Sequence, residues 1–202
     1  MTIISKTKFL EFKSAKSPAN KDWYYVRRTN DTASHDSAVV ITTLIKTENG
    51  YDFLLFNTNR PPLTAENKAK YCLESPAGLI GDVDKNEDVI ECAKKELLEE
   101  AGLNASKIYL ELENCATSAG LSCETLTYVT AVVEDDKIIQ KPIDDGGIIV
   151  ERFQVNANEI VEYLNNLNQK EISIAAATVC GIFYALNRIN LIIQSNNSKA
   201  LK

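Results

Sequence analysis

The most regular pattern of apolar positions in the chain lies between Asp88 and Gly102. Val89, Ala93 and Leu97 recur there every four residues, a spacing that puts all three on one face of a helix and predicts that this face packs against a core. Asp88 is a residue type that caps helix N-termini, and Gly102 suits the left-handed position at which many helices end. The pattern therefore predicts a helix from Asp88 to the residue before Gly102.

Runs rich in β-branched and aromatic residues predict the strands of a sheet. Asn49-Gly50 is a hairpin turn sequence, and Ser17-Pro18 marks another turn. Strand-like runs flank both turns, so two hairpins are expected, one of them at the N-terminus. The predicted strands are, in chain order, residues 3–13, 22–28, 38–45, 51–56, 71–74, 108–115, 125–133 and 148–155.

The last part of the chain has a helical pattern. Asn156 or Asn158 is predicted to cap a helix that ends near Leu167, and Ser173 is predicted to cap a second helix that ends near Asn190. Strands followed by helices predict a domain of the α/β or α+β class, in which helices pack on a mixed, mostly antiparallel sheet.

The composition is that of a globular protein. Apolar residues make up 45% of the 202 residues, enough for a packed core. The net charge of -6 argues against nucleic acid binding through a generally basic surface. No uninterrupted apolar run approaches the roughly 18 residues of a membrane helix, and the lysines of the first residues do not fit a secretory signal. A soluble, cytoplasmic protein without a membrane partner is therefore expected.

Nucleophilic catalysis finds little support in the sequence. His35 is the only histidine, so a serine triad would have no base, and His35 is expected to be structural. The five cysteines include no Cys-x-x-Cys pair, which argues against a disulfide framework and against a zinc ribbon. Reduced cysteines without a catalytic role are expected.

Three acidic residues crowd the end of the predicted helix. Glu96, Glu99 and Glu100 stand at i, i+3 and i+4, so their carboxylates converge on one patch. Like charges at this spacing destabilise a helix by roughly 0.2–0.5 kcal/mol per pair, whereas a divalent cation would stabilise them, and carboxylates are ligands that Mg²⁺ takes. The alternative is a solvated acidic face beside Lys94 and Lys95.

The helix and the loop before it resemble the signature of Nudix hydrolases, G-x5-E-x7-R-E-U-x-E-E-x-G-U with U aliphatic. The matching residues are Gly81, Glu87, Glu96, Leu97, Glu99, Glu100, Gly102 and Leu103, while Lys95 takes the place of the arginine. The family arginine pairs with the first glutamate of the signature, so Lys95 keeps the charge but loses the planar fork. The resemblance implies a Nudix-type α/β/α sandwich and a metal site formed by Glu96, Glu99 and Glu100.

Outlying segments resemble the ADP-ribose and nucleoside-diphosphate-sugar pyrophosphatase branch of this family. Residues 74–80, ESPAGLI, are similar to its E-x-P-A-G-x-x motif, which implies a substrate contact for Glu74 and a metal contact for the Ala77 carbonyl. Trp23 and Arg28 are similar to N-terminal residues that clamp the nucleobase in family dimers. Arg60 resembles an arginine whose planar donors suit a phosphate.

Each of these outlying residues has a simpler interpretation. Trp23 suits a core or a dimer interface, and Arg28 and Arg60 suit surface ion pairs. The Pro76-Ala77-Gly78 sequence suits an ordinary turn into a helix. Their joint order and spacing relative to the signature favour the functional interpretation.

Two departures from the branch limit the substrate assignment. The loop 118–124, SAGLSCE, resembles the family's S-P-G-x-S-x-E but has Ala119 in place of the proline. Its predicted substrate contacts are Gly120, Leu121 and Glu124, the last of them to the terminal ribose. The position at which the family carries a catalytic glutamate holds Asp144-Asp145, so Asp145, Asp144 or Glu99 is predicted to be the general base.

The resemblance implies an enzyme that uses Mg²⁺, with Mn²⁺ as a possible substitute, to hydrolyse the pyrophosphate bond of a nucleotide sugar. Catalytic roles fall to Lys95, Glu96, Glu99, Glu100 and Asp145. ADP-ribose is the expected substrate, and a UDP-sugar substrate or a non-hydrolytic ligand sensor are the alternatives. A homodimer is expected, with residues 1–35 as a β extension for dimerisation and base binding, residues 36–195 as the Nudix domain and residues 196–202 as a frayed tail.

Overall fold

The strands of the chain form two sheets. The computed structural model describes residues 1–29, 37–82, 84–143, 148–168 and 170–200, and within these residues one sheet has three strands and the other has eight. The elements are β1 Thr2–Lys6, β2 Leu10–Lys16, β3 Asp22–Arg28, β4 Ser37–Thr47, β5 Gly50–Thr58, α1 Pro61–Ala65, β6 Tyr71–Glu74, β7 Ala77–Leu79, α2 Val89–Ala101, β8 Lys107–Ala116, β9 Thr125–Val133, β10 Ile149–Asn156, α3 Ile160–Asn166, β11 Ile172–Ile174 and α4 Ala176–Ala200.

The large sheet is mixed and is covered by helices on both faces. Its order is β11-β6-β5-β4-β9-β8, with β10 paired to β5 and β7 paired to β4. Side chains of β5 alternate between the faces: Leu54 and Phe56 pack in a cluster with Ala93 of α2, whereas Phe53 packs in a cluster with Ile182 of α4. This α/β/α arrangement confirms the predicted fold class.

The N-terminal sheet contains the predicted hairpin and one additional strand. β2 and β3 pair antiparallel around the turn near Ser17-Pro18, and β1 pairs with β2. Residues 3–13 are therefore not one strand. The chain turns at Thr7, whose hydroxyl accepts hydrogen bonds from the backbone N–H groups of Phe9 and Leu10, a local interaction that competes with extended structure.

Several elements differ from the sequence-based expectations. The N-cap of α3 is Glu159, because Asn156 instead ends β10 and its side chain accepts the N–H of Asn158. Ser173 lies within β11, which pairs parallel with β6, so α4 begins later than predicted. α4 also continues to Ala200, beyond the predicted end near Asn190. The short elements α1, β7 and β11 were not predicted.

The C-terminal helix corrects the expectation that no apolar segment of the chain approaches the length of a membrane helix. Among the described residues, Ala176–Asn196 is long and apolar enough to cross a membrane by length and composition, with a mean hydropathy of 1.5. In this structure the helix packs on the sheet: Gly181 lies against Thr42 of β4, and Arg188 donates two hydrogen bonds of 2.9 and 2.8 Å to Glu111 of β8. The absence of a membrane partner stays a prediction.

The cysteines allow a simple test of this packing. Cys72 and Cys92 are buried, and burial raises the pKa of the Cys72 thiol to about 11 and that of Cys92 to about 12. Because the thiolate is the reactive form, both should resist an alkylating reagent at pH 8, whereas the exposed Cys123 should be labelled first. Mass spectrometry of native and urea-unfolded protein checks this, and labelling of Cys92 in native protein at the rate of Cys123 would contradict the fold.

Candidate active site

Local signals place the acidic patch on α2. The side chain of Asp88 caps the helix by accepting the N–H groups of Ile90 and Glu91 at 2.8 and 2.9 Å. Gly102 ends it in the left-handed conformation, with φ of 72°. Ala93 and Leu97 are fully buried against the sheet, as the apolar spacing predicts. The glutamates Glu96, Glu99 and Glu100 consequently lie off the buried stripe.

Two of these glutamates face a cavity of about 380 Å³ beside the large sheet. Its walls come from strands β3, β4, β5, β6, β7 and β10 and from α2. The predicted site residues that line it are Arg28, Arg60, Glu74, Ala77, Glu96 and Glu100. Residues distant in sequence, from the N-terminal sheet to the signature helix, are thus brought to one cavity.

Strand β7 lies directly against the glutamates of α2. A Cβ atom built on Gly78 would be 2.1 Å from Cδ of Glu96, so any other residue at this position would displace the Glu96 side chain. The backbone N–H of Ala77 donates to Oε2 of Glu100 at 3.1 Å. These contacts hold both carboxylates beside the backbone of Ala77, whose carbonyl is a predicted metal contact.

The ammonium group of Lys95 forms ion pairs with three carboxylates at the cavity. Its ammonium group is 3.0 Å from Asp82 Oδ1, 3.2 Å from Glu87 Oε1 and 3.5 Å from Glu96 Oε1. The pair with Glu87 is the one that the signature implies for an arginine. A lysine has three rotatable donors, and here it also holds Asp82, a residue that the sequence analysis did not single out. Glu87 in turn accepts the N–H of Gly81 at 3.3 Å, which ties the loop to the helix.

The carboxyl group of Glu96 is largely buried. The pKa of its carboxyl group is raised from 4.5 to about 7, mainly by desolvation and also by the nearby charges of Glu99 and Asp82, while Lys95 acts in the opposite direction. A carboxylate in this environment is poorly compensated in the protein alone. A bound cation would supply the missing positive charge.

A second, smaller cavity of about 190 Å³ lies on the other side of the same carboxylates. Asp82, Glu96, Glu99, Glu100 and Ile143 line it, so Asp82 and two glutamates are shared between both cavities. No three acidic, thiol or imidazole groups of the described residues form a preformed metal cage. The carboxylates that line both cavities still suit Mg²⁺, because this ion commonly takes one or two carboxylates and completes its coordination shell with phosphates and waters.

Arg28, predicted to contact the nucleobase, and Arg60, predicted to contact a phosphate, both form ion pairs at the cavity. Nη2 of Arg28 is 3.0 Å from Glu124, and Nε of Arg60 is 2.8 Å from Glu74. Glu74 Oε2 also accepts the hydroxyl of Thr58 at 2.7 Å. These contacts match the simpler interpretation of both arginines as ion-pairing residues. The pairs also place both guanidinium groups in the cavity wall.

The loop 118–124 carries the remaining predicted substrate residues next to the cavity, outside its lining. Trp23 is half exposed and its indole N–H donates to the carbonyl of Gly120 at 3.0 Å. The carbonyl of Leu121 accepts the N–H of Val26 at 2.8 Å, and the Leu121 side chain is exposed. Trp23 and Arg28 of the N-terminal sheet thus contact this loop within one chain.

Three residues with predicted roles lie outside the described part of the chain: Asp144, Asp145 and His35. Phe56, Thr58 and Asp82 are among the described cavity residues that were not identified from the sequence. Phe56 was predicted only as a strand residue and Thr58 lay beyond the predicted strand 51–56, and the position of both beside α2 depends on the pairing of β5. Asp82 directly follows Gly81 of the signature, and that proximity was the one available signal.

Comparisons with known proteins show what the whole chain is similar to. No family model matches the chain. The chain is 28% identical over 200 residues to an ADP-sugar pyrophosphatase of Mus musculus, covering 93% of this chain and 86% of the relative. It is 27% identical over 156 residues to an uncharacterised Nudix hydrolase of Schizosaccharomyces pombe, covering 75% and 71%. A crystal structure of an ADP compounds hydrolase superposes with a TM-score of 0.63 at 17% identity, covering 94% of this chain and 91% of that one.

Fold, signature helix and relatives agree with one class of enzyme: the chain is similar to Nudix hydrolases, as the signature resemblance predicted. Enzymes of this class act on pyrophosphate bonds. The likeness to the solved structure shows the shared fold.

Proposed function

We propose that this protein hydrolyses the pyrophosphate bond of ADP-ribose, giving AMP and ribose 5-phosphate. The observation that supports this proposal most directly is the cavity itself, in which two glutamates of the signature helix face the guanidinium groups of Arg28 and Arg60. A diphosphate placed there would contact positive groups on one side and the acidic metal-binding helix on the other. The similarity to an ADP-sugar pyrophosphatase favours an ADP moiety.

The arginines and the metal are proposed to have different roles in binding the substrate. Arg28 and Arg60 are proposed to orient the two phosphates by charge-assisted hydrogen bonds from their planar guanidinium groups. Glu96, Glu99, Glu100 and the Ala77 carbonyl are proposed to hold Mg²⁺, or Mn²⁺ in its place. When bound, the metal neutralises phosphate charge and lowers the pKa of water.

The reaction is a hydrolysis in which one bond forms and one breaks. A water oxygen attacks one phosphorus, the bond from that phosphorus to the bridging oxygen breaks, and the bridging oxygen leaves on the other phosphate. The proton of the water passes to a carboxylate base. Glu99, which lines the second cavity, or Asp145 is proposed for this role. Lys95 is proposed to act indirectly, by holding Glu87 and Glu96 in place.

The nucleobase and the terminal ribose are proposed to bind near the loop 118–124. Trp23 presents an aromatic face of the kind on which bases stack, and Glu124 lies next to Arg28. A homodimer is proposed as well, because β2 and β3 expose apolar side chains on the N-terminal sheet, among them Phe12 and Tyr24. The cytoplasmic location and the division at residue 35 stay predictions.

A UDP-sugar substrate is the alternative within the same reaction, because Ala119 replaces the proline that the ADP-ribose branch carries. A matched assay decides between them: kcat/KM for ADP-ribose and for UDP-glucose, measured with Mg²⁺ as release of AMP and of UMP. We expect ADP-ribose to be preferred by at least about 10-fold, which corresponds to a difference of about 1.4 kcal/mol. Preference for UDP-glucose would replace the proposed substrate and leave the enzyme class intact. Binding of both substrates without turnover would support the ligand-sensor alternative.

A further inference from the structure

Negative charge is concentrated at the last turn of α2. Glu99 and Glu100 lie at the C-terminal end of the helix, where the macrodipole is negative, and no basic residue of the helix lies in that turn. The last carbonyl groups of a helix also lack partners within the helix. A cation and hydrogen-bond donors from elsewhere in the chain are therefore needed at this end.

A neighbouring loop supplies most of the missing donors. The N–H of Ile143 donates to the carbonyl of Glu99 at 2.7 Å, and the N–H of Ile139 donates to the carbonyl of Gly102 at 2.9 Å. The side-chain amide of Gln140 donates to the carbonyl of Leu98 at 3.0 Å. The loop 138–143 thus lies directly on the end of the acidic helix, and its last residue lines the second cavity.

The missing cation comes from β10. Arg152 is half-buried, and its Nε donates to the carbonyl of Glu100 while its Nη2 lies 3.5 Å from the carbonyl of Ile143. Its guanidinium carbon is 5.6 Å from the ring centroid of Phe56, which is buried beneath it on β5. One planar side chain therefore touches the helix end, the loop and the cavity wall.

We propose that Arg152 is a positioning residue for the carboxylates of α2, which fixes the backbone of Glu100 and clamps the loop 138–143 against the helix. This inference rests on the proposed function, because its consequence for turnover requires the hydrolytic site. Only the planar fork can reach two carbonyl groups on different segments while it stacks on a ring. A lysine at this position keeps the charge but not that geometry.

The test compares Arg152→Lys and Arg152→Met with Lys137→Met, which removes an exposed cation from the same stretch of chain. Misplacement of catalytic groups by about 1 Å reduces turnover roughly 100-fold. We therefore expect both Arg152 variants to lose about 10- to 100-fold in kcat, with KM within about threefold of the wild type. Lys137→Met should retain wild-type turnover.

Hydrogen exchange supplies a readout that does not depend on activity. The amides of Ile139 and Ile143 should exchange at least about 10-fold faster in both Arg152 variants than in the wild type, because the clamp on their hydrogen bonds is lost. Wild-type turnover in Arg152→Lys, or unchanged exchange in either variant, would overturn the proposal. If the wild-type protein itself fails to hydrolyse ADP-ribose, the proposed function fails, and the exchange rates alone decide whether Arg152 clamps the loop.

Discussion

Replacing Glu96 or Glu100 by glutamine should reduce kcat by about 10³-fold, since metal stabilisation of developing phosphate charge contributes several kcal/mol and each 1.36 kcal/mol is a factor of ten. Glutamine keeps the shape of the side chain and removes the charge. Steady-state release of AMP from ADP-ribose measures the effect. The matched control is Glu91→Gln, which removes an exposed carboxylate from the first turn of the same helix and should leave turnover unchanged.

Glu96→Gln should lower kcat without lowering the free energy of unfolding. The pKa of Glu96 is raised in the folded protein from 4.5 to about 7, so the folded state binds more protons than the unfolded state between these values. By linkage, this group reduces the free energy of unfolding as pH rises from 4.5 to 7. A neutral glutamine does not titrate, so metal-free Glu96→Gln should be at least as stable as the wild type at pH 8.

Chemical denaturation with a chelator present checks the sign. A loss of more than about 1 kcal/mol at pH 8 in Glu96→Gln would show that the charged carboxylate stabilises the metal-free fold, which contradicts the electrostatic account of the site. Comparison at pH 5 isolates the titration, since there the wild type and the variant should differ less.

Removing the charge of Lys95 should destabilise the fold as well as the site. Lys95→Met leaves Glu87 and Glu96, both largely buried, without their cation. Breaking a buried ion pair from one side costs about 3–5 kcal/mol, and because Lys95 keeps part of its surface in water we expect about 2–4 kcal/mol. Lys94→Met, at the exposed neighbouring position of the helix, should change the free energy of unfolding by less than about 0.5 kcal/mol.

Replacing Lys95 by arginine, the residue of the family signature, should preserve the stability that Lys95→Met loses. Lys95→Arg keeps the charge and restores the fork that suits Glu87, so its free energy of unfolding should lie within about 1 kcal/mol of the wild type. If Lys95→Met were as stable as Lys94→Met, the carboxylates would not depend on Lys95, and the network described for the site would be wrong.

Local signals were sufficient for the helix at the centre of the site. The Asp88 cap, the apolar spacing and Gly102 each depend on a few adjacent residues, so the sequence alone placed α2 correctly. Long-range pairing decided the elements that were missed. β7 has three residues and is held by β4, and β11 is held by β6, so neither has a pattern of its own.

The same distinction separates the predicted site residues from the missed ones. Glu96 and Glu100 belong to a contiguous motif, whereas Arg152 lies 52 residues beyond the helix carbonyl that it contacts. Asp82 became recognisable only when the structure placed it on Lys95. Spacing along the chain reports which residues share a helix face, but partners from other strands depend on the order of strands in the sheet.

The cleavage of the pyrophosphate bond is the central claim, and ³¹P NMR observes it directly. With ADP-ribose, Mg²⁺ and the wild-type protein, the two coupled pyrophosphate resonances should disappear and be replaced by the uncoupled monophosphate resonances of AMP and ribose 5-phosphate. The Glu100→Gln variant should leave the pyrophosphate signals intact over the same period. Persistent pyrophosphate signals with the wild-type protein, in a sample where saturation-transfer measurements show bound ADP-ribose, would contradict hydrolysis of this substrate.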